Sequence, residues 1–265
     1  MSDGMHWYER DGTPRHQVPN AKGDGLRNTN INDAKRRGLL PSVSGITKML
    51  ASPGLEIYKL REVAKQCYLS PPYPEEKMDE YISSMLEKGK DDSKQAMDAG
   101  TVIHKAMEQW LTSGTYDEAS VEVNGETKSV GDFVIPASEA LKGWEFVAVE
   151  KVLVNLTGGY AGTTDLIANG EHGQRAIIDF KSKRTKPGKK IESLESHRMQ
   201  LAAYSQAYWQ GNGNYWANLY ISTTEPGRVQ LLSYTADDMT ASWHAFLCCR
   251  DLWIYTTGYD PRKTN

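Results

Sequence analysis

The pattern of apolar and polar positions divides the chain into a helical first part and a strand-rich second part. Residues 1–40 show no period and are rich in Gly and Asn, with a short basic run, "DAKRRG" (33–38). They read as an arm or small irregular layer, ordered only against a partner. In "PSVSGITKML" (41–50), Ser42 or Ser44 can cap a short helix carrying Ile46, Met49 and Leu50. Residues 54–68 are helix-prone up to the break at "SPPYP" (70–74). From Glu75 to Asp98 the period is again helical, but the stretch is so charged that it predicts an exposed lid rather than a core helix. "GTVIHKAMEQWL" (100–111) is an amphipathic helix with His104 where the apolar stripe meets the polar side.

Beyond a polar connection through about residue 130 the period falls to two. "EFVAVEKVLVNL" (145–156), "YAGTTDLIAN" (160–169) and "RAIIDFKSK" (175–183) predict an antiparallel meander, turned by the Thr-Gly-Gly at 157–159 and by "NGEHG" (169–173). A helix over about 195–209 ends before "GNGN", and "NYWANLYIS" with "RVQLLSYT" predicts a hairpin around "TTEPG". A closing helix starts at Thr235, with Asp238 completing a capping box, and runs to about Tyr255. The expected fold is α/β: a central mixed sheet with the His104 and Gln200 helices against it. Residues 1–98 form an N-terminal arm and helical lid region, and 99–265 the core.

Composition narrows the function. A chain of 265 residues with 39% hydrophobic and 25% charged residues can bury its own core as one generous domain. A net charge of −3 argues against uniform coating of nucleic acid but leaves room for a focused basic channel. Cys67 stands alone while Cys248 and Cys249 are neighbours, so no disulfide framework is expected and a reducing, cytoplasmic location is. The N-terminus lacks a leader pattern, and no apolar run approaches the roughly 18 residues that suggest a membrane span.

The chemistry gathers on the third strand of the meander. Alternation puts Ala176, Ile178 and Phe180 on one face and Ile177, Asp179 and Lys181 on the other, with Asp179 and Lys181 about 6–7 Å apart at Cα. Asp165, one strand earlier, can meet Asp179 across the pair. Converging carboxylates repel unless a cation lies between them, and hard oxygen ligands suit Mg²⁺ or Mn²⁺. Lys181 would then orient or deprotonate an attacking water, or stabilise charge in the transition state. By spacing alone, the pair reads equally as a salt bridge at a strand end. Glu150 is a further acidic ligand or a solvent-facing strand residue, and Gln200 and Tyr204 share one helix face.

These pieces together are more specific than any one of them. "GTVIH" ending at His104, Glu150, "GTTD" ending at Asp165, "IIDFKSK" with Asp179 and Lys181, and "QLAAY" from Gln200 to Tyr204 resemble, in order and spacing, the RecB-like branch of the PD-(D/E)XK nuclease superfamily. "LLPSVSGITKML" is also similar to phage-type exonucleases of that branch and, more distantly, to the mitochondrial genome maintenance exonuclease. The resemblance implies a restriction-endonuclease-like core in which Asp165, Asp179 and the Phe180 carbonyl bind metal, with His104 as a nitrogen ligand or just behind the ion. Lys181 is then the catalytic lysine, Glu150 holds the metal or its water, and Gln200 and Tyr204 brace the site or touch the strand backbone. Thr164 replaces the proline of the family's name, and three cysteines cannot build the four-cysteine iron-sulfur cluster of some relatives. No Gly-x-x-x-x-Gly-Lys-Ser/Thr loop signals ATP.

Lys181, Lys183, Arg184, Lys186, Lys189 and Lys190 form a cationic run that starts at the acidic residues and suits a phosphate backbone, Lys183 and Arg184 being nearest. Tyr208, Trp209, Tyr215 and Trp216 read as core or, alternatively, as platforms for unpaired bases. The expected activity is a Mg²⁺- or Mn²⁺-dependent DNA exonuclease hydrolysing phosphodiester bonds on single strands or ends. The alternatives are a structure-specific endonuclease of the same superfamily and a catalytically inactive, nucleic-acid-binding recombination accessory protein. The resemblance further implies a phage protein in a host cytoplasm, with DNA and other replication or recombination proteins as partners and no membrane.

Overall fold

The computed structural model describes residues 5–50, 53–72, 77–123 and 125–263. The end of the expected break at 70–74 and the start of the charged segment at Glu75 lie outside the described residues. In chain order the elements are β1 (Trp7–Tyr8), β2 (Gln17–Pro19), β3 (Leu26–Asn28), α1 (Ile31–Arg37), β4 (Leu40–Pro41), α2 (Val43–Thr47), α3 (Pro53–Leu69) and α4 (Met78–Ser113). There follow β5 (Ser120–Val123), β6 (Glu126–Ser129), α5 (Gly131–Ala140), β7 (Glu145–Asn155), β8 (Tyr160–Asn169), β9 (Arg175–Lys183), α6 (Glu195–Trp209), β10 (Tyr215–Ser222), β11 (Val229–Tyr234) and α7 (Ala236–Thr257).

The core is one mixed sheet in the order β11-β10-β9-β8-β7. The meander β7-β8-β9 is antiparallel, α6 carries the chain across so that β10 runs parallel to β9, and β10-β11 close as a hairpin. Period-two alternation gives each strand two apolar faces. Leu166, Ile178, Phe180 and Leu219 pack with Ile103, Met107 and Phe133 of α4 and α5. Ile167, Ile177 and Trp216 pack with α2, α6 and α7 through Ile46, Met199, Leu201, Phe246 and Trp253. The closing helix begins at its Thr235–Asp238 capping box, as the sequence predicts, and extends to Thr257.

Two parts differ from expectation. The arm is no loose layer awaiting a partner: Trp7, Tyr8, Leu39 and Leu40 are buried, β1 pairs with β4, and Tyr8 and Leu40 pack with Ala161 of β8 and Val152 and Val154 of β7. Its apolar residues come in pairs separated by polar stretches, so no period betrays them. The second difference is α4, a continuous 36-residue helix joining the charged segment to the His104 helix. A glycine such as Gly100 costs a helix only about 1 kcal/mol, too little to break one packed at its C-terminal half. At about 1.5 Å per residue, the start of α4 stands roughly 40 Å along the axis from His104, with α3 packed beside it.

Candidate active site

The ladder between β8 and β9 runs from Asn169↔Arg175 to Leu166↔Ile178 and is not continued beyond that pair. At that point the two strands fork, whereas β9 stays paired with β10 as far as Lys183↔Ser222. Backbone groups in the fork need other partners. The Phe180 N–H donates to Asp165 Oδ2, which fixes that carboxylate in the mouth of the fork. Glu150 enters from the other side of β8: the register that pairs Val149 with Leu166 and Lys151 with Thr164 sets it opposite Asp165. Its φ of 49° is costly for a residue with a side chain, and strain of this kind persists where the surroundings impose it.

Two glycines let helices come close. A Cβ on Gly100 would stand 3.2 Å from Ser182 Cβ, so α4 can lie against β9, and one turn later His104 Nε2 reaches 3.4 Å from Asp165 Oδ2. A Cβ on Gly162 would collide with the Tyr204 ring at 2.7 Å, so only glycine admits that ring beneath β8. From α6, the Gln200 amide donates to the Tyr204 hydroxyl (2.9 Å) and its oxygen accepts from Lys181 Nζ (3.0 Å). Lys181 Nζ lies 2.6 Å from Asp179 Oδ2, which also accepts from Asn218 Nδ2 at 3.2 Å. Asn218, fully buried, is held in turn by the Tyr234 hydroxyl at 2.9 Å.

The fold therefore gathers His104, Glu150, Asp165, Asp179, Lys181, Gln200 and Tyr204 around the fork. Their protonation shows an excess of negative charge. Burial alone would push the His104 imidazole down, but the Asp165 and Asp179 carboxylates raise it to about 9. Burial, reinforced by Asp165, pushes Glu150 up to about 7. Burial, opposed by Lys181 and reinforced by Asp165, pushes Asp179 up to about 6. Burial would also raise Asp165, yet the hydrogen bond and charge of His104, with Lys181, carry it below the usual carboxylate value.

Carboxyls that resist ionisation beside a histidine that holds its proton are what a divalent cation relieves. The donors suit one: ligand atoms of His104, Glu150 and Asp165 all lie within 4.8 Å of one another. Ligands at about 2.1 Å from an octahedral ion stand about 3 Å apart when adjacent and about 4.2 Å when opposite, so a small contraction closes the set. Asp179 is held by Lys181 and Asn218 and borders this group.

Two cavities flank the fork. One, of about 500 Å³, opens on the α4 side between His104, Lys105, Phe180 and Lys181. The other, of about 320 Å³, lies between the arm and the sheet and reaches Glu150, Gln200 and Tyr204. At the rim, Lys183 Nζ lies 5.7 Å over the Tyr220 ring and Arg184 is exposed. The loop after β9 is pinned to the β10-β11 turn. Arg228 donates to the carbonyls of Lys186 and Lys189 and pairs with Glu225, leaving the side chains of Lys186, Lys189 and Lys190 exposed.

The aromatic residues considered as base platforms are elsewhere. Trp216 is buried with Nε1 bonded to Ser205 Oγ, and Trp209 packs at the end of α6 under Arg175, about 20 Å along β9 from Lys181. Sequence reasoning passed over Asn218, whose signal was a lone amide inside a strand of apolar and aromatic residues. It also passed over the arm residues Tyr8, His6 and His16, which no local pattern joins to the strands they meet. Thr164, at the family's proline position, is fully buried, and its hydroxyl has no hydrogen-bond partner among the described residues. Among the described residues no helix is long and apolar enough to cross a membrane.

Comparison with curated proteins finds no match. A solved structure described as "Crystal structure of SSO0001" is 14% identical over 73% of this chain and 85% of its own, at a TM-score of 0.29, a likeness too slight to bear on the site. The five-stranded mixed sheet flanked by helices is consistent with a restriction-endonuclease-like core. Residues 126–252, which carry Glu150, Asp165, Asp179, Lys181, Gln200 and Tyr204, match the PD-(D/E)XK nuclease superfamily, and that match implies metal-dependent hydrolysis of nucleic-acid phosphodiester bonds.

Proposed function

We propose that the protein is a metal-dependent DNA exonuclease acting on single strands or DNA ends. The observation that carries the reading is the meeting, at the β8-β9 fork, of the His104, Glu150 and Asp165 ligand atoms with the Asp179–Lys181 pair. In this reading His104, Glu150 and Asp165 hold a Mg²⁺ or Mn²⁺ ion, and Asp179 with the Phe180 carbonyl completes the set that the family resemblance implies. Such an ion, when bound, neutralises phosphate charge and makes water a stronger nucleophile. Lys181, anchored by Gln200, stabilises charge developing on the phosphate or orients the attacking water. Glu150, half-buried opposite Asp165, would hold the metal or its water. Gln200 and Tyr204 keep Lys181 in place, and Lys183 and Arg184 guide the backbone along the pinned basic loop. The arm and helical lid region of residues 1–98 and the nuclease core at 99–265 join without a break, because α4 runs through the boundary.

The test is digestion of oligonucleotides labelled separately at the 5′ and 3′ termini, beside circular single-stranded DNA, with Mg²⁺ or Mn²⁺. The reading expects mononucleotides or short products from one labelled end and an intact circle. A cut circle points to the endonuclease. Retained DNA affinity with neither metal binding nor turnover points to the accessory protein.

A further inference from the structure

The cavity between the arm and the sheet shares Glu150, Gln200 and Tyr204 with the site described above, but its outer wall takes no part in that chemistry. Its outer wall is a ladder of rings. The Tyr8 ring meets His16 edge-on at 5.2 Å, and His16 stacks on His6 with centroids 4.3 Å apart and planes 19° from parallel. The ladder is fixed at its inner end, where the Tyr8 hydroxyl lies 3.1 Å from Thr163 Oγ1 and the Trp7 N–H donates to His16 Nδ1. That bond leaves the proton of a neutral His16 ring on Nε2. Burial and their mutual proximity or a nearby lysine hold both imidazoles below their ordinary value, so the stack is uncharged at neutral pH. His6 itself is exposed, so its ring has a face that His16 does not cover.

The remaining lining suits a neutral polar guest. Ser44, exposed, offers a hydroxyl 3.3 Å from Ser42 Oγ, and Thr163 offers another. No lysine or arginine lines the cavity among the described residues, and its one carboxylate is Glu150. A phosphate would find no cation inside it. A flat heterocycle would find a ring to stack on, and a sugar would find hydroxyls.

We propose that this cavity is a nucleobase subsite: a nucleoside of the strand being cut enters between arm and sheet, its base on the open face of His6, its sugar beside Ser44 and Thr163, and its phosphate toward Glu150. The volume of about 320 Å³ is enough for one such unit and not for a base pair, which favours an unpaired strand. The inference rests on the nuclease reading and names the part of the substrate that the arm recognises.

The test uses full-length protein and 2-aminopurine deoxynucleoside 5′-monophosphate, whose fluorescence falls when its base stacks. Wild-type protein is expected to quench the probe, with deoxyadenosine 5′-monophosphate competing at least about tenfold better than base-free deoxyribose 5-phosphate. His6→Ala, an exposed change, should weaken the probe about tenfold. His6→Phe should restore it, and the metal-induced thermal shift should be the same in all three proteins. Equal competition by the base-free compound overturns the subsite, as does unchanged probe affinity in His6→Ala. If wild-type protein also cuts DNA in that last case, the nuclease reading survives. Probe binding that depends on His6, in a protein that cuts nothing, keeps the subsite and overturns the nuclease reading.

Discussion

Asp33 and Asp179 are the same residue at nearly the same burial, 2% and 1% exposed, yet their surroundings make them opposites. Asp33 caps α1 and meets two guanidiniums, Arg27 at 2.6 and 2.9 Å and Arg36 at 2.5 Å, and it accepts the Asn30 N–H as well. The Arg27 hydrogen bond, with Asn30 and Arg36 against the cost of burial, holds its carboxyl well below the usual carboxylate range. Burial pushes Asp179 up to about 6, because its one ammonium and one amide, with Asp165 nearby, do not offset it. A buried aspartate whose charge is fully met fastens a fold, whereas one whose charge is only partly met, beside other carboxylates, leaves room for a further cation. That difference separates structure from chemistry here more sharply than burial or residue type does.

The comparison can be broken at several levels of effect. The largest is on catalysis. Asp179→Ala and Lys181→Ala should each reduce DNA cleavage to background, a loss of about 10³-fold or more, with circular dichroism unchanged. Equal cleavage by either variant would remove the site from this place. Asp33→Asn should do the reverse, lowering stability by about 2 kcal/mol in urea titrations while the specific activity of the folded fraction is kept, because the carboxylate's charge-assisted hydrogen bonds to Arg27 and Arg36 are lost. Asp179→Asn should change the stability of the metal-free protein by less than about 1 kcal/mol, the loss of the Lys181 partner offsetting the relief of repulsion.

Metal comes next. Mn²⁺ at a hundred times its dissociation constant should stabilise wild-type protein by about 2.7 kcal/mol, seen as a raised melting temperature, and should leave Asp165→Ala unmoved. The pH responses of the two aspartates have opposite signs. With a folded pKa below 3.8, Asp33 contributes stability that is present above that pH and lost as pH falls further. In metal-free protein Asp179, raised to about 6, contributes stability that is present below 3.8 and lost as pH rises through 6, at up to about 1.4 kcal/mol per unit. Urea midpoints across pH for wild type, Asp33→Asn and Asp179→Asn would separate the two slopes. Away from the charges, Thr164→Val removes a buried hydroxyl that has no hydrogen-bond partner among the described residues and should add about 1 kcal/mol.

Much of the sheet was legible because period-two alternation is a local signal. The same alternation that buries Ile177 beside Trp216 sets Asp179 and Lys181 on one face, so that two of the site's seven residues could be read from nine consecutive ones. What escaped depends on distance along the chain. The fork between β8 and β9 is an absence of pairing, the φ of Glu150 is imposed by its neighbours, and Asn218 is recognisable only through its parallel register with Asp179. The join between the charged segment and the His104 helix escaped because charge was taken as a sign of a separate element. The arm's rings meet β8 through contacts such as Tyr8 with Thr163, which no spacing rule brings together.

The central claim, that the left-over negative charge at the fork is the seat of a divalent ion, is tested most directly by an anomalous difference map from a crystal grown with Mn²⁺. The account predicts a peak within about 2.5 Å of the Asp165 carboxylate, with His104 and Glu150 around it. A map with Mn²⁺ bound elsewhere and none at Asp165 would contradict it.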